Sequence, residues 1–230
     1  MTKTPRRVAP VIAFSFLALV QGAAPVAPAH AAPLPDPIVF VHGWNSDGST
    51  WNTMADRFRR DGWPAERLRQ WSYPTNQSNA TTASRLADVV DHVRADTGAA
   101  KVDLVTHSMG GLSSRHYLKE LGGDLKVDAW VSLAGPNHGT DAAYLCGGAA
   151  CAEMRPVSSF LAALNSGDET PGSPRYATWR SPWDSIVKPE ESVALAGALN
   201  TRASCVQHTS FPTDAAVYRE VRDHVAPGGR

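Results

Sequence analysis

The sequence predicts an α/β fold: a central, mostly parallel sheet of about six strands with helices on both faces, and little or no lid. Two observations carry that expectation. Short β-branched runs alternate with segments whose apolar residues recur at helical spacing, the pattern of successive βα units. One such unit, Lys101–Leu121, runs from strand through a turn of small residues into helix, with Ser108 in the turn.

Taken in order, the 230-residue chain opens with Lys3, Arg6 and Arg7 ahead of an apolar run from Val8 to Val20. A run of about 13 residues suits the core of an export signal and falls short of a membrane span. Ala29-His30-Ala31 supplies a small-x-small cleavage pattern. Residues 1–31 therefore read as a signal peptide and 32–230 as a single domain, secreted to the extracellular side with no integral membrane segment. Arg6-Arg7 leaves ordinary and twin-arginine export both open. Without the three basic residues of that segment, 19 Lys and Arg face 22 Asp and Glu, a charge near −3. That balance gives no reason to expect a nucleic-acid partner. A domain of this size buries roughly 70% of its extended-chain surface. A monomer is the default expectation.

Pro33, Pro35 and Pro37 form a stiff lead-in. Ile38–Val41 is a short β-branched run and reads as a central strand, ending in His42-Gly43-Trp44. Trp51 to Phe58 reads as a short helix capped by Ser49 or Thr50, and Leu68 to Trp71 as the next strand. Asn76 to Thr81 reads as a polar loop, sequon matches included. Leu86, Val89, Val90 and Val93 then share one helix face over 83–93.

Val102, Leu104 and Val105 make a buried strand, and Leu112–Leu121 a helix. A serine between such elements fits a nucleophile elbow, where the sharp turn demands small neighbours. Gly110 provides the downstream glycine of G-x-S-x-G, whereas Thr106 stands at the upstream position. Val127–Leu133 follows as a strand, leading into Gly135-Pro136-Asn137-His138-Gly139-Thr140. His138 there suits a loop-stabilising or substrate-wall role. Residues 142–174 are loop-rich, with one short helix at Ser158–Leu164.

Arg175–Arg180 reads as a strand rich in good strand formers. Asp184, just past its end, is favoured as the acid over Asp168 and Glu169, which no strand precedes. Ser192 to Leu199 reads as a helix and Ser204–Gln207 as a strand. His208 comes directly after it, and a closing helix runs from Asp214 to Val225. Ser108, Asp184 and His208 thus fall at three strand ends, in the chain order Ser, Asp, His.

The motifs Val39-Phe40-Val41-His42-Gly43-Trp44, Val105-Thr106-His107-Ser108-Met109-Gly110-Gly111 and Gly135-Pro136-Asn137-His138-Gly139-Thr140 together resemble the small secreted bacterial triacylglycerol lipases and esterases. The resemblance implies a minimal α/β-hydrolase fold that cleaves carboxylic esters without metal or other cofactor. It implies Ser108 as nucleophile, Asp184 as acid, His208 as base, and the Trp44 and Met109 amides as oxyanion hole. Trp44 and His138 are then candidates for substrate contact, the partner being a small-molecule or lipid ester. Other readings of the same residues are an acyltransferase, a polyester depolymerase, or a binding protein that keeps the fold without turnover. Of three cysteines, Cys146 and Cys151 enclose a flexible Gly-Gly-Ala-Ala spacer and are paired on that ground. A bond from Cys205 to one of them is the alternative.

Overall fold

The computed structural model describes residues 1–4 and 34–228. The expected signal peptide falls, from residue 5 onward, outside the described residues.

Strand β1 (Ile38–Val41) begins the sheet, followed by a 3-10 turn (Gly48–Trp51), α1 (Asn52–Arg60) and β2 (Leu68–Trp71). Next come α2 (Asn79–Thr97), β3 (Val102–His107), α3 (Gly110–Glu120) and β4 (Val127–Leu133). The chain continues through α4 (Ala149–Met154), α5 (Ser159–Leu164), β5 (Arg175–Arg180) and β6 (Leu199–Arg202), ending in α6 (Ala215–Val225). The six strands lie in the order β2-β1-β3-β4-β5-β6, and every neighbouring pair is parallel.

Alternation along β1 separates two cores. Val39 and Val41 pack with Leu86 and Val90 of α2 and Leu112 of α3, while Ile38 and Phe40 pack with Met54 and Phe58 of α1 and Val221 of α6. Because both faces are covered, β1 and β3 are buried at every position; β1 reads as an unbroken apolar run, whereas β3 also buries Asp103, Thr106 and His107. The strand order reverses between β1 and β3: the chain leaves β1 for β2 on one side and returns to place β3 on the other. A crevice opens at the carboxyl ends of strands at such a switch point. Here those ends carry His42-Gly43-Trp44 and Ser108.

Five features differ from expectation. Residues 192–199 are not helical; a 3-10 turn covers Glu190–Val193, and Leu199 already pairs with Ala177 of β5. The sixth strand is therefore Leu199–Arg202, and the expected strand at Ser204–Gln207 is irregular chain. The reason is edge position. β6 pairs on one side only and stays half-exposed or exposed throughout, so no apolar periodicity marks it. Asn200 sets the turn into it, its Oδ1 accepting from the Leu195 amide (3.0 Å) and from Thr178 Oγ1 (2.8 Å). Before α1, Asp47 accepts from the Ser49 amide (2.8 Å) and caps the 3-10 turn, so neither Ser49 nor Thr50 is the cap.

The helix expected from Ala83 starts at Asn79, inside the segment read as a polar loop. Ser78 caps it locally, its Oγ accepting from the Ala80 amide (3.1 Å), and a distant carboxylate reinforces the cap: Glu153 accepts from the Asn79 amide (2.7 Å), Asn79 Nδ2 (2.8 Å) and Ser78 Oγ (2.6 Å). A negative group there satisfies orphan N–H donors and complements the helix dipole. Glu153 belongs to α4, a helix not expected from the sequence. Cys146 and Cys151 form a disulfide at the start of that region, and Cys205 is free and exposed.

Candidate active site

Ser108 sits on the turn between β3 and α3 at φ +53°, a conformation L-residues rarely adopt. The surroundings explain how it is held there. Its amide donates to Leu133 O on β4 (2.9 Å), and its carbonyl accepts from the Gly111 amide (2.9 Å). A Cβ on Gly110 would lie 2.6 Å from the carbonyl oxygens of Val41 and His42, so only glycine lets α3 approach β1 this closely. Thr106, at the motif's unusual upstream position, is buried and donates to Val131 O (2.8 Å). Its extra bulk is absorbed within the sheet.

Asp184 comes from the loop just after β5 and His208 from the chain after β6, the two strands beyond β4 in the sheet. His208 Nδ1 lies 2.8 Å from Asp184 Oδ2, and its Nε2 lies 3.0 Å from Ser108 Oγ. The other Asp184 oxygen accepts from the amides of Ile186 (2.8 Å) and Val187 (3.0 Å). Burial by itself raises this carboxyl's pKa, but the His208 hydrogen bond, the His208 charge and the two amides together outweigh it. The net position is below the ordinary value. Asp184 is therefore an anion at neutral pH, which fixes a proton on Nδ1 and leaves Nε2 with its lone pair toward the serine. Such a relay can draw a proton from Oγ.

Gly43 lies directly against the serine: a Cβ there would be 2.8 Å from Ser108 Cβ. The Trp44 and Met109 amides follow Gly43 and Ser108 respectively, and among the described residues neither donates to an acceptor within the chain. Behind this loop, His42 is fully buried and stacks on Tyr73 at 4.1 Å. His42 Nδ1 donates to Gly43 O (2.9 Å), Nε2 accepts from the Tyr73 amide (3.3 Å), and the Tyr73 hydroxyl donates to His42 O. Burial lowers the His42 pKa, so the ring is neutral and serves as scaffold.

An apolar cleft of about 410 Å³ opens beside Ser108 and His208, walled by Trp44, Ala143, Leu145, Met154, Ile186 and Val187. His138, expected at the substrate wall, lines neither this cleft nor the other one that reaches Ser108. Its Nε2 is 2.7 Å from Glu169 Oε1 and its amide donates to Ser192 O (2.9 Å). Those bonds turn the ring away to brace the loop after β4. Asp168 and Glu169, the rival acids, are likewise apart from Ser108, with Asp168 folded back on Thr170.

One neighbour of the site has a role that the sequence does not reveal. His107 Nε2 donates to the backbone carbonyl of His208 (2.9 Å). Adjacency to Ser108 is the available signal, but a strand residue beside a turn has no pattern that reveals a partner 101 positions away. Among the described residues, one carboxylate group has metal-ligand spacing: Asp36, Asp103 and Asp128, whose oxygens lie within 4.8 Å of one another. Asp103 is the second residue of the strand that Ser108 follows, so this cluster lies at the amino end of that strand, away from Ser108 at its carboxyl end.

A family model described as Lipase (class 2) matches residues 35–198. Among solved structures, the mature form of a Bacillus licheniformis lipase is similar at TM-score 0.74 and 19% identity, over 89% of this chain and 96% of that one. Lipase B of Aspergillus fumigatus is similar at TM-score 0.72 and 16% identity, over 84% of this chain and 54% of that one. A monoacylglycerol lipase of Paleococcus ferrophilus gives TM-score 0.61 and 12% identity, over 84% and 96%. At these identities the structural likeness concerns the fold.

Proposed function

The chain belongs to the class 2 lipase family, and from that premise we propose that it is a secreted serine esterase or lipase acting through an acyl-enzyme on Ser108. The family and fold make it an ester hydrolase of the lipase and esterase type. The finer reading rests on one observation: the continuous relay from Asp184 through His208 to Ser108, with separations of 2.8 and 3.0 Å.

In this reading His208 Nε2 takes the Ser108 proton as Oγ attacks the ester carbonyl, and Asp184 stabilises the imidazolium. The Trp44 and Met109 amides hold the oxyanion, each such donor being worth roughly 3–4 kcal/mol in comparable sites. His208 then protonates the leaving alcohol. Water, deprotonated by the same ring, releases the acid. The apolar cleft accepts the acyl chain. Export is supported by the Cys146–Cys151 disulfide, a bond suited to oxidising compartments.

The test is hydrolysis of p-nitrophenyl esters from acetyl to palmitoyl, with Ser108→Ala and Asp184→Asn alongside. We expect turnover of the wild type and losses of about 10⁴-fold or more in Ser108→Ala. Turnover that persists in Ser108→Ala, or failure of a fluorophosphonate to label Ser108 in folded protein, would remove the proposal. Recovery of the protein from culture medium with its N-terminus near Ala32 tests export.

A further inference from the structure

Ser108 and His208 are shared by two clefts of unlike chemistry. Beyond the apolar one, a second cleft of about 420 Å³ reaches the same two residues. Six hydroxyl side chains line it besides Ser108 itself: Ser46, Ser49, Thr50, Thr53, Thr209 and Thr213. They come from two segments, the turn and first residues of α1, and the chain just after His208. Trp44, at the boundary of both clefts, is its one large apolar wall. Ser46 and Thr50 bond to each other, and Thr213 Oγ1 donates to Ser210 O (3.1 Å). Thr53 and Thr209 have no protein partner for their hydroxyls among the described residues; Thr209 lines both clefts, Thr53 the second alone.

Resting on the Ser108 acyl-enzyme reading, we infer that this second cleft is the alcohol subsite and that it selects a polyhydroxylated alcohol, a small polyol or sugar. An ester at Ser108 extends two arms, acyl and alcohol, and the leaving oxygen must lie within reach of His208 Nε2. The acyl arm gains by entering the apolar cleft, where its methylenes leave water. The alcohol arm is left with the hydroxyl-lined cleft. An alkyl alcohol or a diacylglycerol there would strip water from the threonines and offer them no partner in return. A polyol exchanges each lost water contact for a protein hydroxyl. Discrimination is strong where a site built to pair hydroxyls meets an analogue without them.

The same subsite serves the reverse step. A polyol bound there attacks the acyl carbon in place of water, its O–H proton passing to His208 Nε2. The bond from that carbon to Ser108 Oγ breaks, and Oγ regains the proton from His208. The product is a polyol ester, so the enzyme transfers acyl groups to sugars when these outcompete water.

The experiment compares 6-O-lauroyl glucose with hexyl laurate, which share the acyl chain and the number of alcohol carbons, and adds trilaurin. We expect kcat/KM at least about tenfold higher for the glucose ester than for hexyl laurate, with trilaurin poorest. Thr53→Val, at a position that lines the second cleft and not the first, should lower the preference for the glucose ester over hexyl laurate several-fold. In wild type, added glucose should divert acyl groups from free laurate to glucose laurate more than equimolar hexanol does. Equal rates on the two esters, both abolished by Ser108→Ala, would overturn the alcohol subsite alone. An unchanged preference in Thr53→Val, or better turnover of trilaurin, would do the same. No hydrolysis of any ester would remove the acyl-enzyme reading with it.

Discussion

The His107 ring lies 4.8 Å from that of His208 and donates from Nε2 to the His208 backbone carbonyl at 2.9 Å. The residue preceding the proposed nucleophile therefore anchors the main chain of the proposed base. His107 is 6% exposed. Burial, followed by the nearby His208, brings its pKa down to about 3, so it remains neutral and keeps a single N–H for that carbonyl. A phenylalanine in its place would leave the carbonyl unpaired. We expect His107→Phe to lower kcat about tenfold with little change in KM, and His107→Gln, which keeps a donor, to recover much of the loss. Steady-state kinetics on one ester checks both.

The same residue makes stability depend on pH. In the unfolded chain this histidine binds a proton below about 6.5, whereas in the fold it resists until about 3. Between those values the unfolded state holds more protons, so stability is lost as pH falls, by up to about 1.4 kcal/mol per pH unit. Urea unfolding at pH 7 and pH 5 should show a smaller drop in His107→Gln than in wild type. An equal drop would mean that other groups set the acid sensitivity.

Gly43 is predicted to tolerate no side chain. A methyl group would sit 2.8 Å from Ser108 Cβ, and the loop carrying the Trp44 amide would have to retreat. Gly43→Ala should cost about 10²-fold in kcat, the scale of one misplaced oxyanion donor, in protein whose near-ultraviolet circular dichroism is unchanged.

The Cys146–Cys151 bond closes a short loop beside the apolar cleft, which Cys146 lines. Replacing both by serine should remove roughly 2 kcal/mol, about 4–8 °C in Tm for a domain of this size. Calorimetry measures the shift. Leu145 and Ala143 share that wall, so KM should rise for long acyl esters and hold for acetyl esters.

Asp103 is 1% exposed, and its Oδ2 has no hydrogen-bond partner among the described residues. Burial first, then Asp36 and Asp128, raise its pKa well above the ordinary carboxylate value. The folded state thus holds this proton to higher pH than the unfolded state, and stability falls as rising pH strips it. Asp103→Asn keeps an oxygen for the Ala129 amide (2.9 Å) and carries no charge. It should raise Tm by about 2–4 °C at pH 8 and by less at pH 4. A lower Tm at pH 8 would show that the charge is stabilising.

Local information in the sequence determined the buried strands and the turn chemistry. Ile38–Val41 is covered on both faces, and burial wrote itself into it as a continuous apolar run; Val102, Leu104 and Val105 carry the same record in Val102–His107. The serine turn needed small residues on steric grounds, and Gly110 records that need. Ser108, Asp184 and His208 could be ordered along the chain because parallel βα units put every strand's carboxyl end on one side. What the tertiary structure alone decided is whatever depends on a distant partner. β6 hides in an exposed edge whose pairing with β5 overrides local preference. The start of α2 is capped locally by Ser78, but the carboxylate that completes it is Glu153, 74 residues beyond Asn79 in the chain. His138 turned from the substrate toward Glu169, and His107 toward a carbonyl that only the closed sheet brings near. Spacing and burial are imprinted residue by residue, whereas the partner of a polar side chain is chosen when remote segments meet.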